Sequence, residues 1–167
     1  MATKYTKNEL ANWFTSKART AEGWRRAVLD ETMRTRDNTV IGRLFFFRYD
    51  AKWKSILPVW DKYPLVFPIE RYSDGFLGLN IHYLGIDQRK YILGLLSGYR
   101  NNKNMTQTTR LKLSYAVLQQ SKQLTTLARP CIHRYLFSHV RTKFVEIFPD
   151  EWDKASELPL ELFVYKK

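Results

Sequence analysis

The segment 39–84 most constrains the fold, because its apolar residues recur with the period of a strand rather than that of a helix. Residues 39–50, TVIGRLFFFRYD, are β-branched and aromatic, and residues 75–84, GFLGLNIHYL, alternate between two faces. β-Branched and aromatic residues favour strands, and a period of two is typical of a strand buried on one side. The sequence therefore predicts a small antiparallel sheet over residues 39–84, with a half-buried strand at its end.

Two prolines lie in the strand candidate at residues 64–70. Pro64 and Pro68 have no N–H to donate to a neighbouring strand, and proline is therefore rare in the interior of a sheet. We predict that this segment is an edge strand or a strand start. Turn-forming residues at 72–75 then lead into the alternating strand, and a turn at 50–54 precedes a further strand candidate in SILPVW.

A helical arm is predicted for residues 1–38. Thr6 and Glu9 have the spacing of a capping box, with Thr6 as the N-cap and Glu9 at N3. A second helix is predicted over about 21–33, although Gly23 is unfavourable inside a helix. The side chains that share one face of the first helix are Leu10, Trp13, Phe14 and Lys17.

Three helices are also predicted after the sheet. Asp87 is placed as the N-cap of a helix over 88–99, and another helix follows over 107–122. Pro130 suits the first turn of a third helix. The inward-facing side chains of that third helix would be Ile132, Tyr135, Leu136 and Val140.

The C-terminal part of the chain completes an α+β organisation. FVEIF predicts a short strand, and PDEWDKA predicts a short acidic helix that starts at Pro149. Because helices, strands and helices follow one another in blocks, the fold class is α+β, with an N-terminal helical arm, a small antiparallel sheet and basic C-terminal helices. We predict one α+β domain over 39–167, which contains the sheet at 39–84, a basic helical region at 88–143 and an acidic tail at 146–163.

The composition favours a polyanionic partner. The chain has 167 residues, a net charge of +12 and a pI of about 9.9, and such a charge indicates nucleic acid, or less often an anionic membrane or an acidic protein. No apolar run approaches the ~20 residues that span a bilayer, and the first residues lack a secretory signal pattern. The single cysteine, Cys131, cannot form an internal disulfide. These features fit a reducing cytoplasm, or a particle assembled there.

The positive charge is concentrated in a window without acidic residues, from Gln88 to Val145. Cations spaced among Ser, Thr and Asn suit phosphate contacts, and on the predicted third helix Arg134 and Arg141 are seven residues apart and share a face. The alternative is that these cations line a solvated face or pair with the acidic tail. We predict a DNA-contacting surface made of Arg100, Lys103, Arg110, Lys112, Arg134 and Arg141, extended by Arg25 and Arg26.

No residue pattern indicates catalysis, a cofactor or a metal site. His133 and His139 are six apart on the predicted third helix, so they point to different faces, and His82 has no ligand spacing for zinc. Cys131 lies beside the predicted start of that helix, which would lower the pKa of its thiol. Without a neighbouring base, a buried structural thiol is favoured over a nucleophile. We therefore predict a chain that is not an enzyme and that uses no cofactor or metal.

Several segments resemble a family of small basic virion proteins of T4-like tailed phages. As in that family, Tyr49 and Asp50 follow an aromatic strand and precede LPVWDKYPLVFPIE (57–70) and GFLGLNIHYL (75–84). Similarity continues in TRLKLSYAVL, in RPCIHRYLFSHVRTKFVEI and in EWDKASELPLELF. The resemblance therefore covers most of the chain from about Val40 onward.

This resemblance implies a virion structural protein, and the family includes DNA end protectors. We therefore expect a non-enzymatic virion component, made in the host cytoplasm, that contacts double-stranded genome DNA and protects the packaged DNA ends. Its further partners would be other phage virion proteins and copies of itself within a symmetric assembly, but no membrane. The alternative is a neck or baseplate assembly protein that binds other virion subunits without DNA contact.

Overall fold

The centre of the fold is a five-stranded antiparallel sheet. The computed structural model describes residues 4–22, 43–52, 55–56, 59–100, 106, 116, 131–159 and 164–166. Its strands are β1 Leu44–Phe46, β2 Val59–Asp61, β3 Leu65–Arg71, β4 Gly75–Asn80, β5 Ile132–Leu136, β6 Val145–Ile147 and β7 Val164–Lys166. The main sheet has the order β5–β4–β3–β1–β6 with antiparallel neighbours throughout, and β2 pairs with β7 in a separate two-stranded sheet.

The sheet confirms the predicted antiparallel arrangement but extends beyond residues 39–84. β6 confirms the short strand predicted in FVEIF, and it forms one edge through the pairs of Leu44 with Ile147 and of Phe46 with Val145. The opposite edge is β5, which also comes from the later part of the chain. The outer strands of the sheet are therefore supplied by residues far in sequence from the strands that they cover.

Both faces of the sheet are buried, so the prediction of a half-buried strand at 75–84 was wrong. The predicted alternation itself is present, since Leu79 joins the core cluster beneath the helices and Phe76 joins a second cluster on the opposite face. Aromatic side chains from outside 39–84 cover that second face, where the Phe76 ring stacks on Tyr135 at 5.3 Å and lies 5.9 Å from Phe144. The sequence pattern of the strand alone could not show this cover.

The strand that contains Pro68 is central, so the predicted edge position was wrong, whereas Pro64 directly precedes the first residue of β3, as the alternative of a strand start predicted. β3 lies between β4 and β1, and Pro68 is tolerated there because the ladder is irregular at that position. Pairing with β1 reaches only as far as Val66, and the register with β4 shifts between Pro68 and Glu70. Proline is compatible with such a bulge, where a ladder hydrogen bond is already missing.

The first helix, α1 Lys7–Glu22, begins with the predicted capping box. The N–H of Thr6 donates to Glu9 Oε2 at 2.7 Å, and the N–H of Glu9 donates to Thr6 Oγ1 at 3.2 Å. Leu10 and Trp13 are buried in the main core cluster, as the predicted apolar face requires. The rest of the predicted helix over 21–33 lies outside the described residues.

Two further helices lie on the same side of the sheet as α1. α2 Ile86–Arg100 confirms the helix predicted over 88–99, but Asp87 falls in its first turn instead of at the N-cap. α3 Trp152–Glu157 follows a 3₁₀ turn at Pro149–Glu151 and confirms the short acidic helix. Of the helix predicted over 107–122, only Ala116 is described, and it is helical.

The helix predicted from Pro130 was wrong. Residues 132–136 form the edge strand β5, and Phe137–His139 form a 3₁₀ turn. The pairing of β5 with β4 satisfies backbone groups that would otherwise be unpaired at that edge. The close fit of the two strands is evident at Gly75, where an added Cβ would collide with the carbonyl oxygen of Tyr135.

A buried arginine joins the sheet to α2 and α3. The Arg89 side chain donates from Nε to the carbonyls of Ile81 and Leu84 at 2.9 Å each. Nη2 donates to the His82 carbonyl at 2.8 Å, and Nη1 donates to Leu158 O at 2.6 Å. Burial lowers the pKa of Arg89 to about 10, so the guanidinium stays charged at neutral pH. It connects the 3₁₀ turn that follows β4 to the segment that ends α3.

Replacing Arg89 should therefore destabilise the fold strongly. We expect Arg89→Met to lower the free energy of unfolding by about 3–5 kcal/mol, because several buried carbonyls would lose their donor. Arg89→Lys should recover only part of this loss, since one ammonium cannot reach both chain segments. Urea unfolding measures the difference, with exposed Arg19→Met as the matched control. A loss below about 1 kcal/mol for Arg89→Met would contradict this role of Arg89.

Candidate nucleic-acid interface

Two members of the predicted DNA-contacting surface have described side chains, Arg134 on β5 and Arg141 after the 3₁₀ turn that follows it. We call the surface around them the β5 rim and define it by Asp50, Asp74, Arg134, Ser138 and Arg141. The rim is continuous, because the N–H of Phe137 donates to Asp74 O at 2.9 Å and thereby ties the turn after β5 to the β3–β4 hairpin. Arg134 lies on the edge strand and Arg141 follows the 3₁₀ turn after it, although the predicted helix that was to align them does not exist.

Arg134 projects from the edge strand toward the β3–β4 hairpin. Its Nη2 donates to Asp74 Oδ1 at 2.6 Å, and its guanidinium lies 4.4 Å from the centre of the Tyr72 ring. The side chain remains 52% exposed. Stacking on an aromatic ring orients the planar guanidinium, while a single bond to a carboxylate engages only part of its five donors.

Arg141 occupies the other end of the rim. Its Nη1 donates to the carbonyl of Ser138 at 2.8 Å, and its Nη2 lies 3.3 Å from Asp50 Oδ2. The backbone holds this segment to the β1 end of the sheet, since the N–H of Arg141 donates to Arg48 O at 2.9 Å. The two arginines therefore sit on a scaffold of strand and turn backbone, and each has a carboxylate beside it.

Sequence reasoning missed the residues that orient these arginines. Tyr72 and Asp74 were predicted only as turn residues, and their contacts with Arg134 depend on a strand pairing across about sixty positions of sequence. No local pattern in the chain indicates such a pairing. Asp50 was likewise noted only as the start of a turn.

The other predicted site residues cannot be placed on the rim. Arg100 is the last residue of α2, and its side chain is not among the described groups. The remaining predicted cations, all outside the described residues, are Lys103, Arg110, Lys112, Arg25 and Arg26.

The acidic tail pairs mainly with the N-terminal part of the chain, and only in part with the basic window. Glu151 contacts Lys17 at 2.7 Å, Asp153 contacts Lys4 at 3.1 Å and Glu146 lies 3.6 Å from Arg43. Within the basic window, Lys90 meets Glu157 at 3.0 Å. Among the described residues, the rim arginines contact Asp50 and Asp74 instead of the tail, whereas Lys90 follows the alternative of pairing with the tail.

The cysteine and histidines have structural surroundings. Cys131 is buried, and burial raises the pKa of its thiol. The predicted lowering was wrong, because Cys131 precedes a strand rather than a helix. His82 is fully buried with Nδ1 2.9 Å from Asp61 Oδ2, and burial lowers the pKa of His82. His133 lies on β5 and His139 in the following 3₁₀ turn, so the two do not share a helix as predicted.

The described residues form neither a metal site nor a membrane-spanning helix. In the described ranges, His, Cys, Asp and Glu side chains form no cluster suited to a metal ion. The described helices also include none with the length and apolar character needed to cross a bilayer.

Comparison with known proteins gives one family match. Residues 3–167 match the family model described as the phage T4 terminal DNA protecting protein. This match confirms the resemblance drawn from the sequence, and it extends through the N-terminal helix that the sequence motifs covered only loosely. No curated protein and no solved structure matches the chain significantly.

The buried Glu157 carboxylate fastens the start of the chain to α2 and α3. Oε1 accepts from the Lys4 N–H and from Lys90 Nζ, each at 3.0 Å, and Oε2 accepts from the Tyr5 N–H at 3.1 Å. Burial opposes the charged form, but these hydrogen bonds outweigh it and lower the pKa of Glu157 below its ordinary value of 4.5. A carboxylate with a lowered pKa in the folded state stabilises the fold above the unfolded pKa, and this contribution is lost as the pH falls through the folded pKa.

We therefore expect Glu157→Gln to cost about 1–3 kcal/mol of unfolding free energy at pH 7. The difference from the wild type should shrink as the pH falls below about 4.5, because the wild-type carboxylate is then protonated too. Urea unfolding between pH 7 and pH 3 measures both quantities. Exposed Asp150→Asn is the control and should stay within about 0.5 kcal/mol of the wild type. A difference that does not depend on pH would contradict a stabilising role of the ionised Glu157 carboxylate in these contacts.

Proposed function

Because the chain belongs to the family of the phage T4 terminal DNA protecting protein, we propose that it binds the ends of packaged duplex DNA as a non-enzymatic virion component. The observation that carries this proposal is the family match over residues 3–167, together with a net charge of +12. A protein with such a charge is attracted to the phosphate backbone regardless of base sequence. Protection then requires only that the bound protein block access to the terminus.

The β5 rim is the described part of the surface that we assign to phosphate contact. Arg134 stacks on Tyr72 and Arg141 is held by the Ser138 carbonyl, so both guanidinium groups are oriented before DNA arrives. Pre-orientation reduces the side-chain entropy lost on binding. Asp74 and Asp50 fix the direction of the two guanidinium groups, and phosphate oxygens engage donors that these carboxylates leave available.

The acidic tail supports this proposal by its location. Glu151 and Asp153 contact Lys17 and Lys4, so these tail carboxylates neutralise N-terminal cations and do not contact the rim arginines. The predicted site residues outside the described ranges would extend the basic surface, and they are Arg25, Arg26, Lys103, Arg110 and Lys112, with Arg100 at the end of α2.

The first expected outcome concerns salt-dependent DNA binding. The double variant Arg134→Gln/Arg141→Gln should bind linear duplex DNA more weakly, and the slope of log affinity against log salt should become shallower by about 2, since each phosphate contact contributes roughly 0.9. Fluorescence anisotropy across a salt series measures this slope. The matched control is Lys7→Gln/Arg19→Gln, which removes the same charge from exposed positions on α1.

Equal slopes for the two double variants would contradict the assignment of the rim, because the loss would then reflect net charge alone. A wild-type chain that does not bind DNA at any salt concentration would contradict the function itself. That result would favour the alternative of a neck or baseplate protein that contacts only other virion subunits.

The second expected outcome concerns DNA ends. Bound protein should slow the digestion of linear blunt-ended duplex by an exonuclease, and excess circular duplex should compete less well than linear duplex of the same sequence. Degradation assays with each competitor measure this preference. Equal competition by circular and linear DNA would leave general DNA binding intact but would contradict binding at the ends.

A further inference from the structure

The outward face of α2 is apolar in a way that the described fold does not use. Tyr91 is 69% exposed and Leu95 is 38% exposed, although both are large hydrophobic side chains. They lie one turn apart, on the same side of the helix as the exposed Gly94 and Gly98. The opposite side of α2 is buried against the core through Ile92, Leu93 and Leu96.

The described residues give no packing reason for the glycines on this face. Glycine is the least favourable residue after proline inside a helix, and such a position is normally justified by the close approach of another group. In the described part of the chain, a Cβ added at Gly94 or Gly98 would meet no atom within 4 Å. A group outside the described residues could therefore approach the helix closely at both glycines.

The face is sterically complementary to itself. If two copies of α2 pack antiparallel about a two-fold axis between Gly94 and Leu95, each Leu95 faces the partner's Gly94. By the same symmetry each Tyr91 faces the partner's Gly98. Both large side chains then meet a glycine, so the two helices can approach closely.

The charges at the two ends of α2 favour the same antiparallel arrangement. Asp87 is exposed in the first turn, and Arg100 is the last residue of the helix. An antiparallel pair places Asp87 near the level of the partner's Arg100, and it also aligns the two helix dipoles favourably. A parallel pair would instead bring the two Asp87 carboxylates together.

We propose that the outward face of α2 is the contact surface between two copies of this chain, paired antiparallel through Tyr91, Gly94, Leu95 and Gly98. A pair of single helices buries less than the roughly 1,600 Å² of a standard interface. The association is therefore reversible and depends on protein concentration. The association does not require DNA, and it would place two β5 rims in one dimer.

Sedimentation equilibrium without DNA, over a range of protein concentrations, tests this proposal. Gly94→Ala/Gly98→Ala should weaken the association at least tenfold, because the added methyl groups occupy the space of the partner's side chains. The same two substitutions should raise the melting temperature of the dilute chain by roughly 4–8 °C, since alanine favours the helix. Tyr91→Gln/Leu95→Gln should also abolish association without lowering the melting temperature, since glutamine favours the helix about as well as leucine.

The matched control is Ile56→Ser/Phe148→Ser, which removes two exposed apolar side chains elsewhere and should leave association unchanged. A wild-type chain that is monomeric at every concentration would overturn the proposal, as would unchanged association of the glycine variant. If Tyr91→Gln/Leu95→Gln lowers the melting temperature of a monomer, the face is covered by the chain's own segment, such as residues 107–122, and the proposal fails.

Discussion

The fold depends on the hydrogen bonds of one buried guanidinium. After β4 the chain makes a 3₁₀ turn and enters α2, and the end of α3 returns to the same place from the other end of the sequence. Carbonyl oxygens from both segments point inward there, and Arg89 supplies their donors. An apolar side chain could fill the same space but could not satisfy those carbonyls. Together with the burial of Ile92, Leu93 and Leu96, these hydrogen bonds fix the position of α2 and of its outward face.

The acidic residues of this protein have two different structural roles. Carboxylates of the tail hold the N-terminal segment and α1, as the contacts of Glu151, Asp153 and Glu157 show. The rim arginines are instead aligned by single carboxylates in turns, at Asp50 and Asp74. Acidic residues in this protein therefore assemble the fold in one place and orient arginines in another. A net charge counted along the sequence cannot distinguish these two uses.

The sequence predicts the local features of this protein better than its long-range ones. The capping box of Thr6 and Glu9 and the alternation within β4 each depend on neighbours a few residues away, and both are present. The helix predicted from Pro130 failed because apolar residues at 132, 135, 136 and 140 fit a helical face as well as an edge strand. The strand is favoured over the helix because it pairs with the edge of β4, which is distant in sequence. The neighbourhood of Arg134 and Asp74 could not be predicted for the same reason.

The two outer strands of the main sheet, β5 and β6, are synthesised after the strands with which they pair. β1, β3 and β4 are complete once residue 80 has been made, yet their outer edges are paired only by strands within residues 132–147. Until then a ribosome-bound chain exposes two open strand edges and an aromatic face that contains Phe45 and Phe76. Unpaired edges and exposed aromatic surface are the features through which partly made chains aggregate. The interval between the synthesis of residue 80 and that of residue 147 is thus the period in which the incomplete sheet is most prone to aggregate.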